Sequence, residues 1–118
     1  MKTFGFTLSI LATIFLLAAF YAGPAAQAQG AKDGKQIFLD QKCNMCHSVS
    51  TATPGITATT KSEKMKGPDL VNIKQDAKTL TAFLKKTADL DGKKHPKEVK
   101  LSDADLSALI NWILAQKK

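Results

Sequence analysis

The sequence is poor in aromatic residues once its first 28 positions are set aside, because only Phe38, Phe83 and Trp112 remain. A domain of about 90 residues with so few large apolar side chains is marginally stable unless something else constrains it. Cysteine is scarce as well, and a disulfide between Cys43 and Cys46 would close too short a loop to add much stability. We therefore expect a metal or a covalent cofactor to complete the core.

Residues 1–28 have the features of a secretory signal peptide. A single positive charge precedes a long apolar run, and residues 26–28 read Ala-Gln-Ala, the small-x-small pattern that precedes cleavage. We predict cleavage after this site, so that residues 29–118 form the mature domain in the periplasm. An uncleaved membrane anchor is the alternative, since residues 4–22 are nearly long enough to span a bilayer. In both cases the domain lies outside the cytoplasm.

The apolar spacing of the mature chain predicts an all-α domain without strands, repeats or a second domain. Four segments have helical patterns: 33–42 with Asp33 as the N-cap, a short one beginning at 70–73, 78–86, and one that follows a Ser102 cap. The last helix has its apolar residues at i, i+3, i+4 and i+7: Leu106, Leu109, Ile110 and Ile113. Long loops join these segments, including the Ser/Thr-rich stretch 48–62. Such loops are unusual in a small domain unless a further group occupies its centre.

Residues 43–47 read Cys-Asn-Met-Cys-His, the C-x-x-C-H pattern of haem c attachment in exported proteins. Two thiols at this spacing reach the two vinyl groups on one edge of a porphyrin, and the adjacent histidine can place its imidazole under the iron. We predict one haem c, bound covalently through Cys43 and Cys46, with His47 as an iron ligand. Three alternatives fit less well. A redox-active disulfide normally lies in a βαβ unit, a zinc site needs two more ligands where only His95 remains, and a structural disulfide leaves His47 without a role.

With this motif, the chain resembles the class I cytochromes c over nearly all of residues 30–118. The similarity is carried by the Gly-Lys-Gln-Ile-Phe segment of the first helix, the turn Gly67-Pro68-Asp69-Leu70 and the last helix. The resemblance implies a class I cytochrome c fold, with three to four short helices wrapped around the haem. It also implies that the Pro68 carbonyl accepts a hydrogen bond from His47 Nδ1–H, and that Leu70 packs on the haem.

The chain departs from that family at the second iron ligand. The family has a methionine followed by proline before the last helix, whereas His95 precedes Pro96 here and no methionine lies after Pro68. We therefore predict His95 as the distal ligand. Two alternatives stay open: Met65 brought across by a rearranged loop, or a solvated His95 that leaves the sixth position open to water, lysine or a small ligand.

Two protein ligands on the iron would leave no site for a substrate, and no nucleophile–base pair is present. We therefore predict a one-electron carrier rather than an enzyme. Imidazole in place of thioether favours Fe(III), which implies a low reduction potential for this fold. A haem-based sensor of small ligands, or a cytochrome subunit of a larger periplasmic oxidoreductase, are the alternative functions.

The charge of the chain points to the kind of partner. There is no arginine, and 17 lysines against ten acidic residues give a net charge of +7. Segment 61–100 alone carries eleven lysines and six acids. We expect a redox protein with an acidic docking face as the partner, and neither nucleic acid nor a stably bound membrane.

Overall fold

The computed structural model describes residues 32–118, which form three α-helices and two single turns of 3-10 helix. The α-helices are α1 (Gly34–Asp40), α2 (Ala77–Leu84) and α3 (Asp103–Leu114), and the 3-10 turns span Cys43–Met45 and Glu63–Met65. Within residues 32–118 the only β-type pairings are two isolated bridges, so the all-α prediction is confirmed. None of the described helices is both long and apolar enough to cross a bilayer. The predicted signal peptide lies outside the described residues.

Each α-helix begins at a side chain that accepts a hydrogen bond from a backbone N–H of the first turn. The pairs are Asp33 with Lys35 at 3.3 Å, Asp76 with Thr79 at 2.7 Å and Ser102 with Asp105 at 3.2 Å. Caps of this kind each contribute about 1 kcal/mol. Those at Asp33 and Ser102 were predicted, whereas the cap at Asp76 was missed and α2 starts earlier than expected.

The short helix predicted to begin at 70–73 is wrong. Residues 70–73 are irregular, and their amide groups serve distant carbonyls instead of a helical ladder. Leu70 N–H donates to Ser48 at 2.9 Å, and Asn72 N–H donates to Gln116 at 2.8 Å. Through these two long-range bonds, the segment links the chain after His47 to the C-terminal end of α3.

Helices α1 and α3 cross in direct backbone contact at Gly34. A Cβ at this position would lie 2.3 Å from Trp112 Cβ and 2.4 Å from the Ala108 carbonyl oxygen. Phe38, one turn later, is fully buried with its ring centroid 5.4 Å from that of Trp112. The close approach predicted at Gly34 is confirmed, and it accounts for a glycine in a helix, where it costs about 1 kcal/mol relative to alanine.

The buried core lies mainly between α1 and α3. Its members are Ile37, Phe38, Leu106, Leu109, Ile110 and Ile113, together with the loop residues Val49 and Val99. In contrast, α2 has no fully buried residue. Its apolar side chains Leu80, Phe83 and Leu84 are only half-buried, so one face of α2 is not fully covered by protein.

Candidate functional site

Cys43 and Cys46 lie at the two ends of a tight turn that directly follows α1. Lys42 reverses the chain with φ of 58°, and the N–H groups of Cys46 and His47 both donate to the Cys43 carbonyl, at 3.1 and 2.9 Å. Both thiols are free and half-buried. Burial raises the pKa of Cys43, and the nearby positive charge of Lys97 partly opposes that shift. The turn thus presents two unpaired thiols and one imidazole together.

The imidazole of His47 is held in one orientation by Pro68. His47 Nδ1 lies 2.9 Å from the Pro68 carbonyl oxygen, so the hydrogen bond expected from the sequence is present. Because a carbonyl can only accept, Nδ1 carries the proton and Nε2 keeps its lone pair. Burial lowers the pKa of His47 and outweighs the opposing effect of this hydrogen bond. The lowered pKa favours a neutral ring, and the proton on Nδ1 leaves Nε2 able to bind a metal.

Gly67 packs against the ring of His47 more closely than any other residue type could. A Cβ at position 67 would lie 2.3 Å from His47 Cε1, 2.5 Å from Nδ1 and 2.8 Å from Nε2. The Gly67 N–H donates to the Cys46 carbonyl at 2.8 Å. The sequence indicates only that this glycine belongs to a turn, because its contact with the imidazole depends on the folded chain.

Hydrogen bonds between Ser50 and Asp69 also hold the turn that contains Pro68. The Asp69 carboxylate accepts hydrogen bonds from the N–H and the hydroxyl of Ser50, at 3.0 and 2.6 Å. The hydroxyl bond is the main reason why the pKa of Asp69 is lowered. Leu70 follows and packs half-buried against the core. Ser50 has no distinguishing signal within the Ser/Thr-rich stretch, so its role is visible only in the structure.

The ring of His95 lies beside that of His47. Their centroids are 6.3 Å apart and their planes differ by only 8°. His95 Nδ1 approaches the Lys97 carbonyl oxygen at 2.5 Å, so His95 also carries its proton on Nδ1 and keeps a lone pair on Nε2. The edge of the ring meets Phe83 of α2, with centroids 5.3 Å apart and planes at 75°. The fold thus brings together the two histidines of the chain, which are 48 positions apart in the sequence.

The spacing of these two rings fits two ligands of one metal ion. Ring bonds of about 1.3 Å place each nitrogen about 1.1 Å from the centroid of its ring. Imidazole nitrogens bind first-row metals at about 2.0–2.1 Å, so two imidazoles that shared one ion would have centroids at most about 6.4 Å apart. The observed separation is 6.3 Å. Cys43 and Cys46 are free, and the apolar face of α2 is only partly covered by protein. Together with the two histidines, these features fit a covalently attached haem.

A family model described as Cytochrome c matches residues 31–117. The chain belongs to the cytochrome c family. No significant match was found among the curated proteins or among the solved structures. Membership confirms the expected fold and identifies a haem-based electron carrier with covalent haem c, in a family whose domains are typically exported. Cys43 and Cys46 supply the C-x-x-C-H attachment motif of this cytochrome c.

The two methionines in the described part of this cytochrome c have exposed side chains. Met45 is 48% exposed and Met65 is 58% exposed. Met65 lies in a 3-10 turn two residues before Gly67, which touches the ring of His47. Met65 is therefore close in sequence to the residue that contacts His47, and its own side chain is largely exposed.

The Ser/Thr-rich loop 48–62 lies along the attachment motif of this cytochrome c. Two of its amide groups reach the motif: Thr59 N–H donates to the Asn44 carbonyl at 3.0 Å and Thr60 N–H to the Met45 carbonyl at 2.9 Å. Within the loop, Val49 and Ile56 exchange backbone hydrogen bonds at 2.8 and 3.1 Å. Val49 is fully buried in the core, a contribution that the polar composition of the loop hid. The loop therefore helps to hold the C-x-x-C-H turn against the domain.

Proposed function

We propose that this protein is a periplasmic one-electron carrier in which His47 and His95 bind the iron of a single haem c at low reduction potential. One observation carries the proposal. Two nearly parallel imidazoles lie 6.3 Å apart, and both donate Nδ1–H to a backbone carbonyl, which leaves both Nε2 atoms available as ligands.

The bound haem supplies a one-electron change between Fe(III) and Fe(II). The chain's part would be to keep the imidazoles of His47 and His95 in place during that change. The carbonyls of Pro68 and Lys97 fix the tautomer and orientation of His47 and His95, and a hydrogen bond to Nδ1–H raises the basicity of Nε2. More basic ligands stabilise Fe(III), so these bonds favour a low potential.

His95 is a better candidate than Met65 for the distal position. His95 is half-buried, fixed through its own Nδ1 and packed on Phe83. Met65 is largely exposed and precedes Gly67, which contacts the His47 ring, so its use as the second ligand would require rearrangement of the chain before Gly67. The same fixation of His95 favours a carrier over a sensor, whose sixth position must open readily.

Optical spectroscopy of the purified holoprotein tests this proposal. We expect six-coordinate low-spin bands in both oxidation states, no thioether-to-Fe(III) charge-transfer band in the far red, and slow uptake of CO by the ferrous form. Intact mass after denaturation should show one haem per chain and loss of residues 1–28. A high-spin ferrous form that binds CO at once would support the sensor instead, and haem extracted by acid acetone would refute covalent attachment.

We further propose that the redox partner presents an acidic face to the lysines around His95. Lys93, Lys94 and Lys97 are all exposed and lie within two residues of His95. They belong to the strongly basic segment 61–100. Surface charges of this kind mainly raise the rate at which the two proteins associate, and salt reduces this effect.

Small oxidants of opposite charge test this positive field without knowledge of the partner. Electron transfer from the ferrous protein to ferricyanide should slow as ionic strength rises from about 0.01 to 0.15 M, the range over which the screening length shortens from about 30 to 8 Å. Transfer to a cationic cobalt complex should accelerate over the same range. The double variant Lys93→Glu/Lys94→Glu should weaken the salt dependence of both rates. The control Lys32→Glu/Lys117→Glu makes the same change in charge outside segment 61–100 and should weaken it less. Rates that do not depend on salt would remove the proposal.

A further inference from the structure

We propose that Lys97 is the positioning residue that holds the distal ligand His95 in place, by tying its loop to the end of α1. The proposal rests on the His47/His95 ligation proposed above. Lys97 acts at two points: its side chain reaches the chain just before the attachment motif, and its carbonyl holds the ring of His95. The same residue therefore connects the two parts of the chain that must enclose the haem.

The side chain of Lys97 ends on a carbonyl that has no partner within its own helix. Lys97 Nζ donates to the Gln41 carbonyl oxygen at 2.7 Å, across 56 positions of sequence. Gln41 is the C-cap of α1, where helical carbonyls are left unsatisfied and a positive charge is favourable. Helix α1 has no basic residue in its own last turn, so Lys97 supplies this charge from outside. Gln41 lies two residues before Cys43, so the tie ends next to the attachment motif.

The carbonyl of Lys97 acts on the ligand itself. It accepts the Nδ1–H of His95, which lies only two residues away. Pro96 stands between them, and its fixed φ stiffens this short connection. A movement of Lys97 therefore changes the orientation of the His95 ring directly.

Apart from the contact of His95 with Phe83, the loop has few attachments near His95 other than those of Lys97. On the N-terminal side, Leu90 and Lys93 are bridged across an Asp91-Gly92 turn in which both residues have positive φ, 50° and 71°. On the C-terminal side, Val99 is buried and its N–H donates to Leu84 at 2.9 Å. Between Lys93 and Val99, the hydrogen bonds described are those of His95 and Lys97.

The substitution Lys97→Met removes the tie and keeps the backbone carbonyl that holds His95. We expect CO to enter the ferrous holoprotein roughly five- to tenfold faster, because the loop opens more often once one charge-assisted hydrogen bond is lost. Lys97→Arg keeps a cationic donor and should stay close to the parent rate. Lys94→Met is the matched control, since it removes the same charge from an exposed lysine one position before His95.

A double variant separates positioning of His95 from general loosening of the domain. With His95→Gly the sixth position is already open, so adding Lys97→Met should not speed CO entry further. Equal CO rates in Lys97→Met and Lys94→Met would overturn the inference, as would a further increase in the His95→Gly background. If the parent protein itself binds CO as fast as His95→Gly does, His95 is not the ligand and the proposed function fails too. A parent that resists CO while Lys97→Met behaves like Lys94→Met refutes only the role of Lys97.

Discussion

Replacing His95 by methionine is expected to raise the reduction potential by roughly 0.1–0.3 V, within an axial-ligand range of about 0.8 V for haem proteins. A thioether sulfur donates less charge to Fe(III) than a neutral imidazole does, so the ferrous state gains relative stability. For one electron, each 0.1 V corresponds to about 2.3 kcal/mol. A shift of this size exceeds the effect of an exposed charge, which is typically below about 1 kcal/mol. Spectroelectrochemical titration measures it, and a thioether charge-transfer band should appear in the far red.

His95→Gly is the companion variant, because it removes the side chain without offering a new ligand. The ferrous form should become high-spin and bind CO, and added imidazole should restore the low-spin spectrum. Lys93→Met controls for general effects of changing this loop, since Lys93 is exposed and lies two positions away. If His95→Gly keeps the low-spin spectrum and the potential of the parent, the distal ligand is another group. Met65 would then be the next residue to replace.

The parts of this molecule that the sequence predicts are those that depend on neighbouring residues. The C-x-x-C-H motif places two thiols and an imidazole in one turn, whatever the rest of the chain does. The stripe of α3 and its Ser102 cap are likewise local, and both are present in the structure. Gly34 indicates a long-range contact instead. A glycine weakens a helix, so its presence in α1 indicates that another segment packs closely there, and Trp112 lies against it.

The parts that were missed depend on contacts between distant segments. The amide groups of Leu70 and Asn72 bond to carbonyls far away in the sequence, and this overrides the helical pattern read at 70–73. The tie from Lys97 to Gln41 crosses 56 positions, and an exposed lysine gives no local sign of such a partner. The pairing of His95 with His47 was predicted from the resemblance and from the absence of a usable methionine. The distance and angle between the rings required the fold.

Gly67→Ala is expected to have the largest effect on the His47 side of the site. The new Cβ would lie 2.3 to 2.8 Å from three atoms of the His47 ring, well inside van der Waals contact. The ring has little freedom to move away, because it follows Cys46 directly and donates Nδ1–H to Pro68. Either the imidazole tilts and loses that hydrogen bond, or the backbone of the turn shifts. Overpacking of this kind costs about 1–3 kcal/mol in free energy of unfolding.

Thermal unfolding and optical spectra of the holoprotein measure the two consequences of Gly67→Ala together. A loss of 1 kcal/mol lowers Tm by roughly 4–8 °C in a domain of 60–100 residues, so a drop of at least that size is expected. If His47 binds the iron as proposed, its displacement would weaken that bond, which should appear as a high-spin fraction absent from the parent spectrum. Gly55→Ala is the matched control, because a Cβ there would meet only the Ser50 and Ala52 carbonyl oxygens at 3.6 and 3.9 Å, ordinary contact distances. It should change the free energy of unfolding by no more than about 0.5 kcal/mol. Equal Tm values and spectra for the two variants would show that the turn accommodates the new Cβ without losing stability, and that Gly67 does not constrain His47.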